Sequence, residues 1–314
     1  MYKLLDLSSG GHREEFRTVF QRALGATRIN LFSSFFDNSI LIIGNLDDHL
    51  FIYGTVYRIR KLFGLETILV CLSTLHLFPD EQSFRFRLKS LISNLIYFDA
   101  NVLLTWGRAT QRIKSLVDLQ WFDLPMLLSP NDIKDLKYKI DNVKPSIGYF
   151  GAIHNRKCFS EFRELAFTGY TDHEFITINK EQQSVELRHA HFMRHERDDG
   201  TTKSFVQKMA NVDIVWCCTE IESGLSSGVF GRAIQLGKVC IIRKGTYLHE
   251  FYLENLNEFP NVIIVDFNAV GWVHDCIRQI SKLNKESLVT EGVDDEICSK
   301  MFKRFKDQLN GIHF

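Results

Sequence analysis

The residues in this chain whose types and spacing suit chemistry fall in short polar loops, each set between an apolar run and an amphipathic one. The first is Ser8-Ser9-Gly10-Gly11-His12. A glycine pair lets a ligand approach the backbone closely, and His12 carries an imidazole that titrates near neutrality. Asp47-Asp48-His49 and Ser73-Thr74-Leu75-His76 are two further loops of this kind. They make Asp48 and His76 candidates for taking a proton or holding a hydroxyl. Plainer readings exist for all three: His12 and His76 as capping or exposed loop histidines, and Asp48 as an acid favoured at a helix N-terminus. Further along, Arg156 and Lys157 stand together before a helical stretch. Two cations there suit two phosphate charges, although a solvated basic loop has the same composition. Residues Glu220 to Val229 read Glu-Ile-Glu-Ser-Gly-Leu-Ser-Ser-Gly-Val. Ser226 or Ser227 can cap the helix that follows, and the free N–H groups and dipole at its start attract phosphate.

These loops need elements to position them. Val212 to Cys217 is an apolar run suited to a strand buried on both faces. A helix is expected from Val229 to Leu236, with Gly237 as its stop, and Val239 to Ile242 forms the next strand. Strand, crossover helix and parallel strand make a βαβ unit. Ligands of such units bind beyond the carboxyl ends of the strands, which here means Glu220 to Gly228. The same alternation covers the rest of the chain. Strands are expected over 3–7, 40–44, 67–72, 101–105 and 121–129, with helices over 14–24, 50–63 and 84–98. Residues 130–145 are charged and bounded by prolines. The pattern restarts at 147–151, a strand ending in Gly151. It continues with strands at 174–178 and within 189–196, a helix at 202–209, a helix at 247–256, a strand at 262–265, and helices at 269–283 and 294–309. The expectation is an α/β chain of two Rossmann-like domains facing each other across a cleft, 1–130 and 146–314, joined by a linker over 131–145. The last helix is a candidate for crossing back to the first domain.

A chain of 314 residues is long for one typical domain and natural for two. Its formal net charge is zero, so nothing in the balance points to nucleic acid. Seven cysteines, an odd count with no Cys-x-x-Cys, suit reduced thiols and a cytoplasmic setting. No run reaches transmembrane length and no signal peptide is visible. His191 and His195 have the spacing of a helical zinc pair. Their neighbours Phe192 and Met193 are strand-like and spacing places no third ligand, so no metal site is expected. The helix expected over 84–98 carries Arg85, Arg87 and Lys89 beside an apolar face. It reads as a core-facing helix with a basic flank, or as a face resting on anionic lipid, a reading to which Arg58, Arg60 and Lys61 add.

The stretch from Val212 to Gly245 resembles the donor-binding segment of GT-B glycosyltransferases of the family 4 or group 1 kind. The resemblance rests on Glu220, Glu222, Gly224, Ser227, Gly228, Ala233, Gly237, Lys238, Val239 and Ile241. One departure is Arg232, which stands where many retaining members place an acid. The turn at Gly10, Gly11 and His12, and the loop with Gly151, Arg156 and Lys157, also resemble the openings of the two GT-B domains. The family implies transfer of a sugar from a nucleotide diphosphate sugar, with no metal or other cofactor. It implies that Gly151, Arg156, Lys157, Ser226, Ser227, Gly228 and Val229 hold the donor diphosphate, and that Glu220 and Glu222 hold ribose or sugar hydroxyls. Gly10 and Gly11 would face the acceptor, with His12 as the base and Asp48 or His76 as alternates. The implied partners are a nucleotide sugar and a glycan or lipid-linked acceptor, not nucleic acid, with peripheral contact at the inner face of a membrane. Two other readings of the same architecture stay open: a non-catalytic accessory or scaffold protein, and a sugar-nucleotide epimerase.

Overall fold

Runs rich in Ile, Val and Leu form strands buried on both faces when helices cover a parallel sheet. The computed structural model describes residues 1–7, 12–44, 49–71, 103–105, 119–121, 136, 144–153, 155–179, 191–221, 228–254, 262–283, 299–300, 303 and 307. The chain divides into two units, Met1–Leu124 with Met301–Phe314, and Pro125–Lys300. Of the linker expected over 131–145, only residues 136, 144 and 145 are among those described.

The first unit contains β1 (Tyr2–Leu5), α1 (His12–Leu24), β2 (Thr27–Arg28), α2 (Leu31–Ser34), β3 (Ile40–Ile43), α3 (Leu50–Leu62), β4 (Thr67–Cys71), β5 (Leu103–Thr105) and β6 (Leu119–Trp121). Its strands lie in the order β2-β1-β3-β4-β5-β6, and every pairing is parallel. Leu5, Leu41, Ile43 and Leu69 from the sheet pack with Tyr53, Val56 and Tyr57 of α3. β2 and α2 carry no periodic signal because they are two and four residues long. A side-chain cap holds α2, since Asn30 accepts from the Ser33 N–H at 2.8 Å. Of the strand expected over 121–129, only Trp121 is among the described residues; it is the last residue of β6 and pairs in register with Thr105 of β5.

Arg60 is a correction. As a surface cation it would favour lipid, but it is fully buried. Its guanidinium donates to the carbonyls of Ser34, Asp37, Ser39 and Glu66 and to Thr67 Oγ1, all at 2.7–2.9 Å. It pins the turn before β3 to the end of α3. The helix expected over 84–98 lies outside the described residues. No helix among the described residues is long and apolar enough to cross a membrane.

The second unit contains β7 (Ser146–Phe150), α4 (Phe159–Gly169), β8 (Glu174–Asn179), β9 (Arg194–Arg197), α5 (Thr202–Ala210), β10 (Ile214–Trp216), α6 (Gly228–Gln235), β11 (Val239–Arg243), α7 (Tyr247–Glu254), β12 (Val262–Val265) and α8 (Trp272–Ser281). Its sheet runs β12-β11-β10-β7-β8-β9, again wholly parallel. The chain starts at the centre with β7, builds outward through β8 and β9, then returns to build the other half from β10. That is the doubly wound dinucleotide-binding order, and the reversal lies between β7 and β10. One face packs Ile147, Tyr149, Phe175, Ile214, Trp216, Val239 and Ile241 against Phe159, Phe162 and Leu165 of α4 and Val273, Cys276 and Ile280 of α8. Gly237 ends α6 at φ +65°, its N–H bonded to the Ile234 carbonyl at 2.8 Å.

Candidate functional site

In a doubly wound sheet the helices on either side of the reversal diverge and open a crevice beyond the carboxyl ends. Between β7 and β10 that crevice is built from two short segments. Gly151 leaves β7 at φ +89°, a backbone region open to glycine at little cost. Its N–H donates to the Ile178 carbonyl at 2.8 Å. A Cβ at Gly151 would lie 2.6 Å from Lys157 Nζ, so the ammonium occupies the space that a side chain would fill. Lys157 Nζ donates to the Phe150 carbonyl at 3.1 Å. Burial lowers its pKa, with the Cys217 thiol as the smaller opposing influence.

The turn Asn155–Lys157 is stitched to the end of β10 at two points. The Trp216 indole N–H donates to the Lys157 carbonyl at 3.1 Å, and the Glu220 N–H donates to the Arg156 carbonyl at 3.0 Å. Cys158 then enters α4 at φ +50°, the one non-glycine residue with positive φ among those described. Such a conformation persists only where its surroundings impose it. Arg243 closes the same corner from the end of β11. Its guanidinium lies 5.0 Å from the Phe267 ring centroid, and Nη1 is 3.9 Å from Cys158 Sγ. Phe267 in turn stacks on Trp216 at 6.0 Å. Burial first, then the Glu161 charge, push the Cys158 thiol up to about 11 against the opposing pull of Arg243. The Cys217 and Cys218 thiols are also raised, chiefly by burial. Protonated thiols of this kind are packing groups, not nucleophiles.

Arg232, the departure from the family pattern, is buried in α6. Its Nη1 donates to the Gly228 carbonyl at 3.1 Å, and its guanidinium lies 5.5 Å from the Phe205 ring. A cation at the first turn of α6 adds to the positive potential there, where an acid would reduce it.

The structure therefore brings Gly151, Arg156, Lys157 and Glu220 together around the end of β7 and β10, and α6 begins at Gly228 and Val229 as part of the same crossover. Glu222, Ser226 and Ser227 lie outside the described residues, as do Gly10, Gly11, Asp48 and His76. His12 is the first residue of α1, two positions earlier than the expected helix start at 14. Segments 8–11 and 45–48 follow β1 and β3, the strands on either side of the first sheet's own reversal. His195 lies in β9 with Nδ1 3.1 Å from Thr177 Oγ1, while His191 meets Tyr170 edge-on in the preceding turn. The two are not on one helical turn. Among the described residues no three His, Cys, Asp or Glu side chains gather as a metal site.

Four residues at this edge had no place in the sequence reading: Arg243, Asn179, Asp198 and Tyr247. Three of them bury a polar atom with no hydrogen-bond partner: Asn179 Oδ1, Asp198 Oδ1 and the Tyr247 hydroxyl. The signal that could have found them is position. Asn179 and Arg243 end apolar strands, Asp198 follows one directly, and Tyr247 opens the helix after β11.

No protein-family model matches the chain, and no curated protein matches it. Solved structures do. HepE from Anabaena, in complex with UDP-glucose, superposes with a TM-score of 0.61 at 13% identity, over 99% of both chains. An O-GlcNAc transferase from Thermobaculum terrenum gives 0.54 at 11% identity over 98% of this chain and 65% of that one. OtsA gives 0.52 at 10% identity, over 97% and 77%. At such identities the likeness is one of fold, and it makes this chain a GT-B fold protein of two doubly wound α/β units.

Proposed function

We propose that this protein is a glycosyltransferase that moves a sugar from a nucleoside diphosphate sugar to a hydroxyl acceptor. The observation that carries the reading is the crevice between β7 and β10, where the half-buried Lys157 ammonium, the neighbouring Arg156 and a helix start serve one carboxyl edge. Cleavage of the sugar–phosphate bond leaves negative charge on the diphosphate. Lys157, Arg156 and the amides of Gly228 and Val229 stabilise that charge as it develops, without a metal ion. Lys157 is suited to this because burial lowers its pKa, and an arriving phosphate restores the preference for the charged form. Glu220 and Glu222 bind ribose or sugar hydroxyls. HepE, which shares the fold, is a UDP-glucose complex, and this supports a nucleotide sugar as the donor.

Residues 146–314 form the donor side in this reading, and residues 1–130 the acceptor side. The acceptor oxygen bonds to the anomeric carbon as the bond to the diphosphate breaks. In an inverting reaction the acceptor proton passes to His12, with Asp48 or His76 as the alternates. A glycan or a lipid-linked sugar supplies the hydroxyl, and the protein works in the cytoplasm or at the inner face of a membrane. The test is calorimetry with nucleoside diphosphates and their nucleosides. Lys157→Ala and Arg156→Ala should each weaken diphosphate binding by roughly 10–100-fold and leave nucleoside binding nearly unchanged. Equal losses for both ligands would contradict the phosphate role. Incubation with a panel of nucleotide sugars, scored for nucleotide release and epimer formation, separates transfer from epimerisation and from a non-catalytic role.

A further inference from the structure

Two of the orphaned polar atoms of the second unit stand at the ends of adjacent strands. Asn179 is the last residue of β8, and Asp198 follows the last residue of β9. The Asp198 N–H donates to the Asn179 carbonyl at 2.7 Å, and the Gly151 N–H donates to Ile178, one residue before Asn179. Both residues therefore stand at the carboxyl edge that holds Lys157. At a strand spacing of ~4.8 Å, β9 lies about 10 Å from β7. Asn179 is 3% exposed and Asp198 5% exposed, and Oδ1 of each has no hydrogen-bond partner. The next acid is differently engaged: Asp199 accepts from the Thr201 N–H and hydroxyl at the start of α5, at 2.8 and 2.7 Å. A buried carboxylate oxygen that does no capping and meets no donor within the protein calls for a ligand that brings donors to it.

We infer that Asn179 and Asp198 read the base of the bound nucleotide and select guanine. The inference rests on the donor-site reading above and extends it to the identity of the base. A carboxylate offers two acceptor oxygens and no donor. Guanine presents an adjacent pair of donors, N1–H and the N2 amino group, and the amino group carries a second N–H that an amide oxygen can accept. Uracil has one N–H between two carbonyl oxygens, so it would bring an acceptor against the carboxylate. Adenine sets one amino group beside an acceptor nitrogen. Of these bases, guanine alone satisfies a carboxylate in bidentate fashion while keeping a further N–H for Asn179 Oδ1.

The experiment is calorimetry on the full chain with GDP, IDP, UDP and ADP. GDP should bind at least about tenfold tighter than UDP or ADP, and IDP, which lacks the 2-amino group, should fall between. Asp198→Asn should lower GDP affinity by roughly 10–100-fold and leave UDP affinity unchanged. Asn179→Ala should lower it by a smaller factor with the same selectivity. If Asp198→Asn fails to fold, the order of GDP, IDP and UDP on the parent protein decides alone. Preference for UDP or ADP over GDP, or equal loss for every base on substitution, overturns the base assignment. If that preference still depends on Lys157, the donor-site reading stands without it. Binding of no nucleoside diphosphate at all overturns both.

Discussion

The two edges of the second sheet are made from similar residues and treated in opposite ways. At the amino edge Ser146, Lys238 and His173, the polar groups at or just before three of the strands, are tied down. Ser146, at the head of β7, gives its N–H and hydroxyl to Asp213 Oδ2, both at 2.7 Å, and Asp213 precedes β10. Lys238, just before β11, reaches the Ala210 carbonyl at 2.8 Å. His173, just before β8, has Nδ1 3.4 Å from the Gly169 carbonyl. At the carboxyl edge Asn179, Asp198 and Tyr247 leave buried atoms unmatched, Cys158 holds a positive φ, and Lys157 sits half-buried against a carbonyl. Folding selects for satisfied groups. An edge that forgoes them has another use for them, and in a parallel sheet that use belongs beyond the carboxyl ends. The comparison separates residues that hold the fold from residues that wait for a ligand.

Substitution at the two edges should therefore separate stability from activity. The largest effect is expected on the acceptor side. His12→Ala should cut kcat by roughly 10²–10⁴-fold if transfer inverts configuration, with donor affinity by calorimetry nearly unchanged. Near-normal turnover would move the role of base to Asp48 or His76. Next is Asp213→Ala, which strands the buried Ser146 N–H and hydroxyl. It should cost about 3 kcal/mol in urea unfolding and leave nucleotide affinity within about twofold. A loss of affinity without a loss of stability would erase the contrast between the edges.

Gly151→Ala should do both things in smaller measure. A Cβ at φ +89° and 2.6 Å from Lys157 Nζ costs about 1 kcal/mol of stability and displaces the ammonium. Affinity for a nucleoside diphosphate should fall several-fold, while that for the nucleoside should hold. Unchanged diphosphate affinity would show that the ammonium is not placed by the missing side chain.

The smallest expected effect concerns Lys238. Burial lowers its pKa from 10.5 to about 8, against the opposing pull of Asp213. Between those values the unfolded chain holds a proton that the folded chain has released, so this residue makes stability rise with pH across that window. Below about pH 8 both states are protonated and the folded state bears the full penalty of a buried cation. Parallel melts of the parent and Lys238→Met should show the parent gaining about 1 kcal/mol relative to the variant from about pH 8 to 9. Parallel curves would mean that Lys238 is solvated in the folded protein.

Much of this architecture was legible along the chain. The apolar runs at Ile40–Ile43, Val239–Arg243 and Val262–Val265 are strands within a residue or two of expectation, because burial on both faces demands uninterrupted apolar side chains. Gly237 ends a helix and Gly151 turns the chain off β7, since both need positive φ. Arg156 and Lys157 could be singled out because adjacent cations before a helix are a local pattern. The elements that escaped were β2 and α2, too short to show a period.

Sequence by itself determined what depends on neighbours in the chain: which segments are strands, which are helices, and where polar loops interrupt them. Only the tertiary structure decided what depends on distant partners. It buried Arg60, a cation that the chain offers to solvent or lipid, against four carbonyls from three separate stretches. It tied Arg232 to the first residue of α6 and set it over Phe205. It left Asp198 Oδ1 without a donor while Asp199, its neighbour of identical chemistry, accepts from Thr201, the cap of α5. The physical reason is that a side chain's charge is written in its type, but the cost of that charge is set by the donors, acceptors and water that folding brings to it or takes away.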